Sequence, residues 1–171
     1  LSYRDEDGKV TRNPLAPQIE NLDEIPEPNF SLIANWSRHT IVPIQFSRGC
    51  PHDCEFCVVT QMCGHRLRYH SIDRIINQIQ KLVVDPRVEF IFFADDNFAA
   101  NPTITKELLR RMIAELDRIP IWTAQVSVQA AKDKELLGLM KAAGCKFVYI
   151  GFESVEIATL KEYHKPLRLE D

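Results

Sequence analysis

The sequence predicts an α/β fold in which short parallel strands alternate with amphipathic helices. Three observations predict it. Short apolar runs recur at residues 41–46, 88–93, 121–128 and 147–151, and between them lie stretches whose apolar residues repeat with helical spacing. Pro86, Pro120 and Gly144 stand at the joints, where a helix has to stop before a strand begins. Strand and helix repeated in this order imply parallel strands joined by right-handed crossovers, in a sheet that is either open or curled into part of a barrel.

Residues 1–40 carry Pro14, Pro17, Pro26 and Pro28 among Asp, Glu and Asn, with neither period, and read as a linker or surface arm. Leu22, Ile25, Phe30, Leu32, Ile33 and Trp36 are its candidate anchors. The first strand follows at 41–46, where Pro43 cannot donate to a ladder and so predicts a sheet edge or a strand entry. Ser71 is a candidate cap for a helix bearing Ile72, Ile75, Ile76, Ile79, Leu82 and Val83. The run at 88–93 is continuous enough to be covered on both faces. Asn101 and Pro102 open a second helix with Leu108, Leu109, Met112, Ile113 and Leu116 on one face. The alternating run at 121–128 is the third strand, and Asp133 caps a helix containing Leu136, Leu137, Leu139 and Met140. After the fourth strand, at 147–151, Ser154 is expected to start one more helix.

Length and charge narrow the function. A chain of 171 residues, 45% hydrophobic and 26% charged, buries a core and suits one domain. No apolar run is long enough to cross a bilayer. The net charge of −3 is spread along the chain, which argues against a nucleic-acid substrate or an anionic membrane surface. Arg66, Arg68 and His70 are too few for a nucleic-acid patch and read as a solvated face. Five cysteines in an asymmetric cluster suit reduced thiols that bind metal, and hence a cytoplasmic setting, better than a disulfide framework. The chain starts at Leu1 without Met and ends soon after a new helix begins, so a fragment of a longer protein is expected.

Parallel α/β sheets gather ligands at the carboxyl ends of their strands. The first strand leads into Cys50, Cys54 and Cys57, and the second into Asp95, Asp96 and Asn97. The third carries Ser127 and Gln129, and the fourth leads into Glu153 and Ser154. Three thiolates at C-x3-C-x2-C spacing grip one soft metal centre from one side and leave it one ligand short of a closed site. Zinc completed by His52, Cys63 or His65 is the structural alternative. Cys145 reads as a small buried apolar residue and Arg48 as a structural partner for a carboxylate.

The C-x3-C-x2-C spacing, with Phe56 just before the last cysteine, resembles the cluster motif of the radical S-adenosylmethionine superfamily. The resemblance implies a partial (β/α)6 TIM-like barrel of which residues 41–171 are the first two-thirds. It also implies a [4Fe-4S] cluster on Cys50, Cys54 and Cys57 whose open iron binds S-adenosylmethionine and cleaves it to a 5'-deoxyadenosyl radical. Phe56 is then expected near the adenine, Asp95 or Asp96 at the methionine end, Glu153 at the nucleoside or amino end, and Ser127 and Gln129 as further cofactor contacts. The segments at 93–98 and 151–154 resemble the branch with an upstream cobalamin domain, to which residues 1–40 would be the connection. Carbon methylation or rearrangement of a small molecule, with reduced flavodoxin or ferredoxin as electron donor, follows from the resemblance, and a cobalamin-free methylthiotransferase is the nearest alternative. Low activity is expected of a barrel cut short.

Overall fold

The computed structural model describes residues 2–14 and 16–167. Leu1, Leu15 and residues 168–171, which belong to the expected arm and core segments, lie outside the described residues. The arm is more ordered than its composition predicts. It opens with an antiparallel hairpin of β1 (Ser2–Arg4) and β2 (Val10–Arg12), turned through Gly8 at a φ of 77°. Short 3-10 turns follow, the first capped by the Asn21 side chain and the second by that of Asn29. Of the expected anchors, Leu22 is fully buried and Phe30 and Trp36 pack against the core, whereas Leu32 and Ile33 are exposed.

Four strands form the central parallel sheet: β3 (Ile41–Ile44), β6 (Phe90–Phe93), β7 (Ile121–Val126) and β8 (Cys145–Ile150), in that spatial order. Between β3 and β6 lie β4 (Ser47–Arg48), α1 (Val59–Cys63), β5 (Arg68–Tyr69) and α2 (Ile72–Val83). The later crossovers are α3 (Pro102–Glu115) and α4 (Lys134–Ala142), and α5 (Ile157–Glu162) follows β8. β3 is an edge strand, as its proline requires. Strands adjacent in sequence are adjacent in space without reversal, so crossovers of one hand put every long helix on the same face. That is the wall of a barrel.

Local chemistry sets the helix starts. Ser71, Asn101 and Asp133 each accept a hydrogen bond from a backbone N–H in the first turn of α2, α3 and α4, and Pro102 opens α3. The helix-side face of the sheet, with Val42, Ile44, Ile91, Phe93, Trp122 and Ala124, packs on Ile75, Ile79, Leu108, Met112 and Leu136. The opposite face carries Ile41, Phe90, Phe92, Ile121, Thr123, Phe147 and Tyr149 along a groove of about 680 Å³. A register shift between Trp122 and Thr123 pairs Thr123 with Phe147 and leaves Lys146 extra. It places Phe147 and Tyr149 beside Phe90 and Phe92.

Four expectations need correction. The first strand ends at Ile44 because the chain turns into the β4–β5 ladder. β7 ends at Val126, and the chain then coils into a 3-10 helix at Val128–Lys132, which takes Gln129 off the strand. The last strand begins at Cys145, a half-buried residue whose thiol burial pushes up to about 11. Ser154 accepts from the Glu156 N–H in a local turn instead of capping α5, which starts three residues later, at Ile157.

Candidate functional site at the carboxyl ends of the strands

The three cysteines sit on an excursion whose two ends are stitched together by β4 and β5. Entry to it depends on Gly49, whose φ is 97° and where an added Cβ would lie 2.4 Å from the Arg66 carbonyl oxygen. The Cys50 N–H donates to the Gly64 carbonyl at 3.3 Å, and the Cys57 N–H to that of Cys54 at 3.0 Å. Beneath this entry, fully buried Asp95 accepts from the Phe46 N–H at 3.0 Å and from both the N–H and hydroxyl of Ser47 at 2.5 Å. Asp95 therefore ties the end of β6 to the start of the cysteine excursion.

The arm holds the other end of the excursion. Arg68 donates to the carbonyls of Ile19 and Cys63, and Arg74 donates to those of Asp23 and Ile25. The Asp23 carboxylate receives the Ser71 N–H at 2.9 Å and pairs with His70 at 3.2 Å. Burial acts to raise Asp23, but its bonds to Ser71 and His70 outweigh it and hold the carboxyl below its ordinary range, while burial lowers His70 toward the neutral imidazole. The solvated face expected at Arg66, Arg68 and His70 is thus corrected for Arg68 and His70, whereas Arg66 stays exposed. Arg68 and His70 are 7% and 8% exposed and clasp the arm, and Arg66 pairs with Glu20.

The excursion faces a cavity of about 450 Å³. Cys50, Cys54, Phe56 and Cys57 line one side of it, and Asp96, Gln125, Ser127, Tyr149, Glu153 and Lys165 line the other. Glu153 has a φ of 64°, which folds its carboxylate back over Gly151, where a Cβ would stand 2.3 Å from Oε1. There it meets Lys165 Nζ at 3.3 Å. Lys165 also lies 5.8 Å from the centre of the Phe56 ring, whose other neighbour is Tyr163, edge-on at 5.4 Å. The Glu55 N–H donates to the Tyr163 carbonyl at 3.0 Å, so the segment after α5 is strapped to the cysteine excursion.

Burial pushes the Cys50 thiol up, and the neighbouring Cys54, Cys57 and Asp96 add to it. Burial also raises Cys54, and Lys165 opposes the rise. Burial raises Asp96, against the Gly49 N–H and the Arg48 charge. Cys50 and Cys54 therefore favour the thiol form and are deprotonated when a cationic centre binds them.

The expected site residues separate into two groups. Cys50, Cys54, Phe56, Cys57, Asp96, Ser127 and Glu153 line the one cavity. Asp95 does not, since its carboxylate is spent on Phe46 and Ser47 inside the core. Gln129 does not either, because the 3-10 turn carries it behind Ser127, where its amide donates to the Pro166 carbonyl. Arg48 donates to the Gln45 side chain at 2.6 Å rather than pairing directly with a carboxylate. Gln125, Tyr149 and Lys165 were not anticipated. Alternation along β7 and β8 points the first two the same way as Thr123 and Phe147, whereas Lys165 has no signal in its neighbouring residues.

Among the described residues no three His, Cys, Asp or Glu side chains form a group that would hold a single metal ion, and His52, Cys63 and His65 complete no such site with the cysteines. The three sulfurs nonetheless border the same cavity, each on a half-exposed residue. That donor set would suit an iron–sulfur cluster, in which each of three irons takes one thiolate.

The family model for the radical SAM superfamily matches residues 44–171. An uncharacterized methyltransferase of Pyrococcus horikoshii is 37% identical over 158 residues, covering 90% of this chain and 34% of the relative. The bacteriochlorophyllide d C-12(1)-methyltransferase of Chlorobaculum tepidum is 30% identical over 166 residues, covering 92% and 35%. The chain thus spans about a third of the length of these relatives. Among solved structures, the cobalamin-dependent S-adenosylmethionine radical enzyme OxsB superposes with a TM-score of 0.79 at 21% identity, over 99% of this chain and 26% of that one. The radical S-adenosylmethionine methyltransferase TsrM of Kitasatospora setae gives 0.68 at 21% identity, over 75% and 25%. These likenesses show the fold, a parallel sheet forming part of a TIM-like barrel.

Proposed function

Because this chain belongs to the radical SAM superfamily, we propose that Cys50, Cys54 and Cys57 hold a [4Fe-4S] cluster and present its open iron to S-adenosylmethionine. The observation that carries this reading is the shared cavity, in which the three thiols face Asp96, Ser127, Glu153 and Lys165. When bound, the cluster supplies the electron that cleaves the sulfonium and releases a 5'-deoxyadenosyl radical. The residues of the chain bind, orient and shield.

Glu153 and Lys165 neutralise each other across 3.3 Å in the absence of ligand. An amino-acid group carries the complementary pair of charges, so its ammonium takes Glu153 and its carboxylate takes Lys165 with little net loss of pairing. Asp96 offers a second acceptor on the cysteine side. Phe56, 48% exposed, presents ring surface for the adenine. Ser127 contributes a hydroxyl at the end of β7. Asp95 and Gln129 act as positioning residues.

For the whole protein we propose methyl transfer to carbon of a small molecule. The support is the methyltransferase names of both relatives, the methyltransferase description of TsrM and the cobalamin-dependent description of OxsB. Cobalamin then belongs to an upstream domain joined through residues 1–40, with reduced flavodoxin or ferredoxin as donor in the cytoplasm. Among the described residues no helix is long and apolar enough to cross a membrane. The test is anaerobic: the iron-loaded chain is mixed with dithionite and S-adenosylmethionine, and 5'-deoxyadenosine is measured by chromatography. The reading expects it from the wild type and none from Cys54→Ala. Equal yields from both would contradict it.

A further inference from the structure

Behind the loops that follow β6 and β7 lies a smaller chamber of about 130 Å³ that the cofactor roles above leave unused. Ala99 and Ala130 give it apolar wall, and His52, Asn97, Ser127 and Gln129 give it polar wall. Asn97 is 4% exposed, and its side-chain oxygen accepts from the Ser127 N–H at 3.3 Å. That contact fixes which way the amide points, since the amide nitrogen has no lone pair to offer a backbone donor. The Asn97 nitrogen is left buried with no partner.

Gln129 shows the same arrangement with opposite polarity. Its nitrogen donates to the Pro166 carbonyl, which can only accept, and its oxygen is buried with no partner. Among the described residues the other buried side-chain atom without a partner is Arg68 Nε, at the arm, so two of the three belong to residues walling this one chamber. Buried polar atoms are paired as a rule, and an orphan donor and an orphan acceptor on two residues that wall one chamber call for a group that supplies both complements. Asp133 also reaches the chamber, but its carboxylate is engaged by the Leu136 N–H and by Lys106, which leaves no free charge to attract an ion.

We infer that this chamber is a binding subsite for an uncharged primary carboxamide arm. The orphan donor and acceptor belong to side chains on separate loops, so separate acceptor and donor atoms match them better than the single oxygen of an alcohol. The volume corresponds to roughly four waters, enough for one short amide arm. The chamber shares His52, Asn97 and Ser127 with the cysteine cavity, so the arm enters from there.

Propionamide is the probe, titrated into the 15N-labelled chain while the side-chain amide signals of Asn97 and Gln129 are followed by NMR. Both signals shift saturably with propionamide and neither does with propionate. Asn97→Asp keeps the acceptor for Ser127 and removes the donor, so it weakens propionamide binding about tenfold. Ala99→Val narrows the chamber without touching either amide and also weakens binding. No saturable shift up to about 200 mM means that the chamber holds water only and overturns the inference. Equal response to propionate, or undiminished binding by both variants, overturns it as well.

Discussion

Gly49→Ala and Gly138→Ala are the same chemical change with opposite expected outcomes. At Gly49 the backbone φ of 97° already costs about 1–3 kcal/mol for a residue with a Cβ. The new methyl would also sit 2.4 Å from the Arg66 carbonyl oxygen and 3.1 Å from that of Gly64, backbone atoms that cannot swing aside. Relieving the overlap pulls the entry of the cysteine excursion away from residues 64–66 and weakens the Cys50 to Gly64 bond, adding about 1 kcal/mol. The total of about 2–4 kcal/mol lowers the melting temperature by roughly 4–16 °C in a chain of this size. At Gly138, inside α4, an added Cβ meets nothing within 4 Å, and alanine gains about 0.5–1 kcal/mol of helix propensity. Thermal melts by circular dichroism, with hydrogen exchange at the amides of Cys50 and His70, measure both variants. A Gly49→Ala chain that melts within about 2 °C of wild type and protects both amides equally would refute the reasoning.

Further outcomes follow from the same contacts. Burial raises Asp95 from its ordinary 3.8 to about 6, so the native state binds this proton more tightly than the unfolded chain does. Its stabilising contribution is full below pH 3.8 and is lost as pH rises through about 6, an interval equivalent to ~3 kcal/mol. The unfolding free energy of wild type minus that of Asp95→Asn should therefore fall between pH 4 and about pH 7 in urea titrations, and a flat difference would contradict the assignment. Lys165→Met keeps the aliphatic stem near Phe56 and removes the charge. It should weaken S-adenosylmethionine binding to the iron-loaded chain about 10- to 100-fold in calorimetric titration, with the melting temperature nearly unchanged because the pair with Glu153 is partly solvated. Leu22→Ala removes a fully buried anchor, at about 2–5 kcal/mol, and should speed protease cleavage within residues 18–27; wild-type cleavage rates would show that the arm is held without it.

The alternation of strand and helix was legible because periodicity is a property of neighbours in sequence. Ile72 to Val83 show their packed face in their spacing alone, as do Leu108, Leu109, Met112 and Leu116, whereas Ile113, expected on the same face, is exposed. The arm was not legible in that way. Arg68 and Arg74 grip it through the main-chain carbonyls of Ile19, Asp23 and Ile25, and a carbonyl acceptor is the same at every position. Asp95 and Asp96 were separable in principle. Ile91 and Phe93 face the helices, so the alternation continues through Asp95 into the core and turns Asp96 toward the cavity. Gln129 was misplaced because the strand stops at Val126, a stop that neither proline nor glycine marks. The left-handed turn at Glu153 and the approach of Lys165 depend on contacts between segments and leave no local trace.

The measurement that bears most directly on the central claim is the electron paramagnetic resonance spectrum of the anaerobically reconstituted, dithionite-reduced chain, recorded with and without S-adenosylmethionine. A [4Fe-4S] cluster held by Cys50, Cys54 and Cys57 would give about four irons per chain and a reduced-cluster signal that changes when S-adenosylmethionine binds. A chain that takes up no iron, or a cluster signal identical with and without S-adenosylmethionine, would contradict the account.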